Sequence, residues 1–513
     1  MTSNLSDGLK NQQDIDVLIA GAGPTGSTLA ADLLRRGLRI RLVDKAPHSF
    51  QGSRAKGVQP RTQEVFEDLG ILSEAHKQGD SYPLSGLHFG PVTVPWRMQK
   101  MSKQTPDVPY PNILLLSQHR TDAILHRLIN RQGLSIEFNT AVENFIQDAD
   151  GVTVTLSSGE QVRCKYLIGA DGGSSSVRKA SGIRFVGETD DSDRMLILDG
   201  TIDGLSRNRW HMWPRTKGKS VAACPLPHSD QFQVMIKLTP DETLDLDEAH
   251  LAANFHNLTG FKLYDITWKS VFRPNVRLAD HYRAGNVFLA GDAAHVHTPA
   301  GGQGLNTGVQ DAYNLGWKLS QVIFGAPGSL LDSYEAERRP IAAHVLDKSN
   351  KLYAGLKKFR FSSLKRGNEE RQLGITYHSG PLAPEDSSYT KTLHVGDRAP
   401  DAPCMGPNGA RRLFDIYRGA QFTLLAFGAT ASQVLPKLTL PTTGAEIRCF
   451  TVGNASQIEG NYIHDATGNL TKIYGINSDT MVLIRPDGYI GSIITANWQT
   501  TFESVITMFT PSN

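Results

Sequence analysis

Residues 291–319 read GDAAHVHTPAGGQGLNTGVQDAYNLGWKL. The short apolar run before them, residues 287–290, shows no polar alternation, as expected of a strand buried on both faces of a parallel sheet. Gly291-Asp292 ends that strand. The glycine-dense PAGGQGLN at 299–306 then opens a long helix, on which Leu305, Val309, Ala312, Leu315, Leu319 and Val322 recur at spacings of three and four. An acid at a strand end can accept hydrogen bonds from a polyol. A helix N-terminus stabilises negative charge, by ~0.3–1 kcal/mol when exposed and up to ~2 kcal/mol when partly buried.

Two more strand ends carry similar punctuation. Residues 16–20 (DVLIA) form a buried run that ends in Gly21-Ala22-Gly23-Pro24-Thr25-Gly26. Residues 25–36 then place Leu29, Leu33 and Leu34 on one helical face and stop at Gly37, and residues 39–43 form the next strand, ending at Asp44. This is a βαβ unit with a GxGxxG turn, and an acid roughly 20 residues after the first glycine is the expected partner of a ribose. Gly21 makes the turn, Gly23 lets backbone approach a pyrophosphate, and Gly26 lets helix and strand pack closely. Pro24 and Thr25 open the helix whose N-terminus faces the phosphates, and Lys45 stands beside Asp44. Asp171-Gly172-Gly173 follows the buried run 166–170 in the same manner. A dinucleotide that also carries a polyol chain, and that becomes anionic when reduced, satisfies all three motifs. A flavin dinucleotide is such a ligand.

The rest of the chain bounds this reading. With 513 residues, two or three domains are expected. A net charge of +2 is too close to neutral to suggest a nucleic-acid or anionic-membrane partner. No apolar run approaches the ~18 residues of a spanning helix. Residues 1–14 lack the apolar core of a signal peptide. Cys164, Cys224, Cys404 and Cys449 form neither CxxC nor zinc spacing, which fits a reducing cytoplasm. His295 and His297 lack a third ligand, so no metal is expected.

Residues 152–156 alternate and turn at Ser158-Gly159, as in a hairpin. From 195 to 272 the pattern shifts towards a mostly antiparallel sheet, with Phe232, Val234, Ile236 and Leu238 alternating. Met212 and Trp213, in the aromatic stretch 210–214, and Phe272 are candidate substrate contacts. Phe422–Phe427 and residues 481–484 read as buried strands, with Arg485-Pro486-Asp487-Gly488 as a turn.

The three glycine–acid motifs occur in the order and spacing of the class A FAD-dependent aromatic hydroxylases, which share the p-hydroxybenzoate hydroxylase fold, and the chain resembles that family. Residues 291–319, Ser53-Arg54-Ala55 with Pro60-Arg61-Thr62, and Trp268, Phe272, Arg277, Ala279 and Arg283 carry the likeness over residues 14–355. It is most similar to the phenol, tetracycline, anthracycline and rifampicin hydroxylase branch. The resemblance implies an α/β fold. A Rossmann-like FAD-binding domain over 14–355 would hold an inserted mixed or antiparallel substrate sheet at about 195–272. A linker at 356–393 and a thioredoxin-like domain at 394–513 would follow. No CxxC follows the strand where a redox thioredoxin carries one, so that unit is expected to serve packing or association, including a homodimer.

The implied cofactors are FAD and, as reductant, NADPH or NADH. The implied reaction hydroxylates a small aromatic or polyketide-type substrate with O₂ activated at flavin C4a. Implied roles follow. Arg54 lies near the FAD phosphates and helps the reductant. Gln118 contacts FAD, and the backbone near Val142 approaches the adenine. Asp171 supports FAD and the reductant, and Asp292 binds the ribityl chain. Pro299 lies on the flavin face, with Gly301 and Gly302 beside it. Gly304, Leu305 and Asn306 line the pyrimidine edge. Asp122 stands where the family often has Glu, with little effect expected. Baeyer–Villiger oxygenation, epoxidation or flavin binding without oxygenation would use the same motifs.

Overall fold

The run at 15–20 is apolar because it lies mid-sheet. In the computed structural model, strand Ile15–Ala20 pairs in parallel with Ile40–Val43 on one side and Gln161–Gly169 on the other. Gln161–Gly169 in turn pairs in parallel with Val287–Leu289. The structure describes residues 15–240, 242–298, 301–357, 366–383, 387–406, 409–454 and 461–511. Register matters more than order here. Ala20 is level with Val43 and Gly169, and Gly169 with Leu289. All three glycine–acid turns therefore leave the sheet at one edge, where open α/β sheets bind ligands. The hairpin expected near 158–159 forms, with Gly151–Leu156 antiparallel to the first half of Gln161–Gly169.

Helix Pro24–Arg35 packs against helix Gly304–Ile323, and small residues set the approach. A Cβ on Gly308 would overlap Thr25 Oγ1, and one on Gly316 would overlap Asp32 Oδ2. Glycine inside a helix costs roughly 0.5–1 kcal/mol relative to Ala. Here it admits the neighbouring helix.

A second sheet stands over the edge of the first. Its order is Lys262–Phe272, Met195–Asp203, Gln231–Lys237, Lys219–Pro225, Arg209–Thr216, Leu84–Phe89, Val92–Trp96. Two strands from outside residues 195–272 thus complete it, one of them parallel to Arg209–Thr216. Phe232, Val234 and Ile236 pack with Leu251 and Phe255 of helix Glu248–Thr259, while the intervening Gln233 and Met235 face the other way, into a cavity.

The C-terminal unit is a seven-stranded mixed sheet built around the fully buried strand Phe422–Phe427. Trp317, from helix Gly304–Ile323, inserts into its core beside Phe422 and Phe509. The turn at 485–488 joins strands Thr480–Ile484 and Ile490–Ile494 as expected. The polar stretch before this unit is anchored where it is described: Gln372 accepts from Gln310, and the Tyr377 hydroxyl meets Arg338. No described helix is long and apolar enough to cross a membrane.

One buried ionic group joins the two halves. Glu337 accepts from both Arg485 terminal nitrogens at 2.7 and 3.0 Å, from Lys318 Nζ at 2.7 Å and from Asn314 Nδ2 at 2.7 Å. Burial pushes its carboxyl up, but Arg485 and Lys318 outweigh burial and hold it down at about 2. Burial draws Lys318 down to about 8 against the pull of Glu337, helped by the Arg485 charge, so Arg485 is the stronger partner. A carboxyl depressed on folding stabilises above its unfolded pKa of ~4.3 and loses that contribution as pH falls towards about 2. Glu337→Gln leaves buried Lys318 without its carboxylate and Arg485 with Asp487 alone, and is expected to cost ~3–5 kcal/mol at neutral pH. Thermal melts from neutral pH downward should show the gap from wild type closing below pH ~4. A variant melting like wild type at neutral pH would show that this network does not hold the halves together.

Candidate active site

Where the four strands end, a cavity of about 580 Å³ opens beneath the second sheet. That volume lies within the ~300–1,000 Å³ usual for ligand sites. The first glycine turn lines it with three glycines of different purpose. Gly21 adopts φ 105° and passes so close to Ala170 that a Cβ would overlap its carbonyl. A Cβ on Gly26 would overlap the Gly21 carbonyl, which is the helix–strand packing its place implies. Gly23 is different: a Cβ there meets no protein atom within 4 Å and would project into open space. Its bareness serves something that comes from the cavity side, and the N-terminus of helix Pro24–Arg35 points there as a phosphate site should.

The acids are held in place. Asp44 accepts from the Ala22 amide at 2.7 Å and from the Ala46 amide at 2.8 Å, which ties the glycine turn to the neighbouring strand. Asp171 Oδ2 accepts from the Ser176 amide and hydroxyl and the Val177 amide at 2.7, 3.0 and 3.2 Å. Its Oδ1 is buried and accepts from no described residue, so one acceptor is left over at the cavity wall. Asp292 sits in the 3₁₀ turn Gly291–Ala293 and also lines the cavity. That turn is fixed because the Gly291 amide donates to the buried Asp311. Gly301, Gly302, Gly304 and Leu305 bring the start of the long helix to the same space.

Lys45, Arg54, Gln118, Val142, Met212 and Phe272 also line the cavity. Arg54 is exposed at its rim, and the adjacent Ser53 anchors the segment by donating its amide and hydroxyl to Asp199. Gly26 acts through packing. Two expected contacts are placed otherwise. Asn306 is buried behind the wall, where its amide nitrogen donates to Gly57 and Gly302 and its oxygen accepts from the Gln59 amide. It braces the wall with its side chain. Trp213 is a correction. Strand parity turns Trp210 and Met212 into the cavity and sends His211 and Trp213 to the opposite face, where Trp213 stacks on His88 and packs with Phe255. Pro299 and Ala300 lie outside the described residues. His295 and His297 do not converge on a shared ligand position: His295 Nε2 lies 2.6 Å from Asp311, and His297 Nδ1 faces the Thr298 carbonyl.

Several residues joined the site without a local signal. Tyr82 and Met98 precede the second sheet's main strands, and Arg366 and Glu370 come from the polar stretch after the long helices. Asp122, one turn after Gln118, is buried. Burial and the nearby Asp44 charge push its carboxyl up to about 8 against a hydrogen bond from Gln118.

Comparison with known proteins gives the family. A family model described as FAD binding domain matches residues 14–349, and one described as HcaD C-terminal domain matches residues 400–507. The chain is 42% identical to a flavin-dependent monooxygenase of Mycobacteroides abscessus, over 95% of this chain and 98% of that one. It is 35% identical to a 12-dehydrotetracycline 5-monooxygenase/anhydrotetracycline 6-monooxygenase of Streptomyces rimosus, over 93% and 94%. A crystal structure of aklavinone-11 hydroxylase with FAD and aklavinone superposes with a TM-score of 0.80 at 26% identity, covering 97% of this chain and 99% of that one.

The bare Gly23 cradle, the open Asp171 oxygen and the Asp292 turn suit the pyrophosphate and hydroxyl groups of FAD. Asp292→Ala should lower FAD affinity ~10- to 100-fold, the loss of one charge-assisted hydrogen bond, with the apoprotein melting point unchanged. Gly23→Val should also lose FAD, by filling the cradle. Flavin fluorescence titration reads both, and full FAD occupancy in Asp292→Ala would remove that residue from the site.

Proposed function

The chain belongs to the FAD-binding-domain family and is an FAD-dependent monooxygenase, and from that premise we propose that it hydroxylates a planar phenolic or polyketide-type substrate with NADPH as preferred reductant. The observation that carries this reading is that one cavity serves both ends of the reaction. The same space is lined by the Gly21 turn and Asp44, by Gly304 at the helix start, and by Trp210, Met212, Met235 and Phe272 of the second sheet. A ring held against that sheet shares one enclosure with the flavin site.

Bound FAD supplies hydride acceptance and oxygen activation; the protein supplies position, dryness and charge. The apolar sheet face excludes water from the reacting atoms. The helix start at Gly304 would offer a positive dipole end to the negative charge of a reduced flavin. Arg54 at the rim and the open Asp171 oxygen are assigned to the approach of the nicotinamide cofactor. The C-terminal unit is read as a thioredoxin-like scaffold without thiol chemistry. Strand Phe422–Phe427 leads into Gly428-Ala429-Thr430-Ala431-Ser432, and burial pushes the Cys404 and Cys449 thiols up to about 12 and about 11.

Anaerobic mixing with NADPH tests the reading. The yellow holoenzyme should bleach slowly alone and at least ~10-fold faster with one of a panel of phenols, anthracyclinones and anhydrotetracyclines. Admission of isotopically labelled O₂ should then place one labelled atom in the product. A flavin that no member of the panel accelerates, or a product without the label, would sink it.

A further inference from the structure

Lys56 is nearly buried, at 9% exposure, yet lines the cavity. Its ammonium lies over the Trp210 ring, 4.5 Å from the centroid, and donates to Gln233 Oε1. Among the described residues, no carboxylate lies within ion-pair distance of it. Asp199 accepts from the Ser53 amide at 2.7 Å and hydroxyl at 2.5 Å. The Cys224 thiol is pushed up to about 11 by burial and stays neutral. A lysine carries three donors, and a neutral amide oxygen and a ring face compensate a buried charge only in part. Burial accordingly lowers the Lys56 pKa, against the opposing pull of Asp199.

The wall around this cation suits a flat ring. Tyr82 meets Trp210 edge-on at 5.7 Å, and Met212, Met235 and Phe272 supply apolar surface. Burial holds the Tyr82 hydroxyl well above its usual range, so it remains a neutral donor. Arg366 brings a second cation to the same cavity.

We propose that Lys56 is the anchor for an anionic substrate oxygen, taking the ionised hydroxyl of an acidic phenol or enol whose ring lies against Tyr82 and Trp210. The inference rests on the monooxygenase reading for its use, and it explains how the ring is made reactive. The substrate hydroxyl gives its proton to solvent, and the remaining charge spreads into the ring and raises its nucleophilicity. Lys56 favours that ionised form. No bond to the protein forms or breaks.

The probe is alizarin, a planar dihydroxyanthraquinone whose ionised form absorbs beyond the oxidised flavin band. It is titrated against FAD-loaded enzyme without NADPH, just below the pH at which the free dye ionises. Wild type should bind the dye and turn it to the anion colour. Lys56→Met should bind at least ~10-fold more weakly, one pKa unit of lost preference, and leave the dye neutral. Lys56→Arg should restore the colour. FAD content and melting point are checked for each variant, and Lys56→Gln decides if Lys56→Met does not retain FAD. The proposal is overturned if Lys56→Met matches wild type in colour and affinity, or if wild type binds the dye neutral or not at all. The readout is equilibrium binding, so it separates from turnover. An enzyme that ionises the dye through Lys56 but never bleaches with NADPH would keep the anchor and lose the oxygenase reading.

Discussion

The Asp311 carboxylate is the point on which the active-site geometry depends. It is fully buried and accepts from the Gly291 amide at 3.1 Å, His295 Nε2 at 2.6 Å and Arg338 Nε at 2.8 Å. Arg338 continues to the Tyr377 hydroxyl and the Thr307 carbonyl. Burial pushes the Asp311 carboxyl up, but His295 and Arg338 outweigh burial and keep it ionised. One charge thus joins the strand end, the strand after it, the long helix, the helix Asp332–Lys357 and the segment leading to the C-terminal unit. Buried ion pairs add little net stability compared with apolar packing. What this one gives is a fixed distance between the Asp292 turn and the N-terminus of the long helix, two features that must meet one ligand together.

Sterics close the other half of the same frame. Thr25 is packed between Gly291 and Gly308, so the first glycine turn and the Asp292 turn are set by one side chain. Both ends of the flavin site are then placed by backbone that cannot shift without meeting Thr25 or Asp32. A dinucleotide site built from backbone amides, bare glycines and a few acids needs this rigidity, because an amide cannot rotate to correct a misplaced strand.

This explains what was legible in the sequence. The glycine–acid turns are local: each helix begins within 15 residues of the end of its strand, and the chemistry of each is written in its own stretch. In-register parallel pairing then brought them together. The substrate side is not local. Strands Leu84–Phe89 and Val92–Trp96 join a sheet whose other members begin a hundred residues later, and Arg366 arrives from a polar stretch with no periodicity. Trp213 was open to a stricter reading. With Trp210 and Met212 on one face, period two alone sends Trp213 to the other. The bracing role of Asn306 and the raised pKa of Asp122 depend on neighbours distant in sequence, which no single stretch reveals.

The two halves of the cavity therefore differ in how freely they can vary. The flavin half is fixed by backbone and by the Asp311 and Thr25 constraints. The substrate half is a wall of Met98, Met212 and Met235 with Trp210, Tyr82 and Phe272. Methionine adapts its shape to what lies against it, so such a wall grips a ring system without fixing its outline. Discrimination must then come from the polar groups set into that wall. On the proposal above, Lys56, its charge balanced by an amide oxygen and a ring face, is such a group. Selection by charge and depth, on a wall of adaptable outline, is what the proposed anchor adds to the rigid half of the cavity.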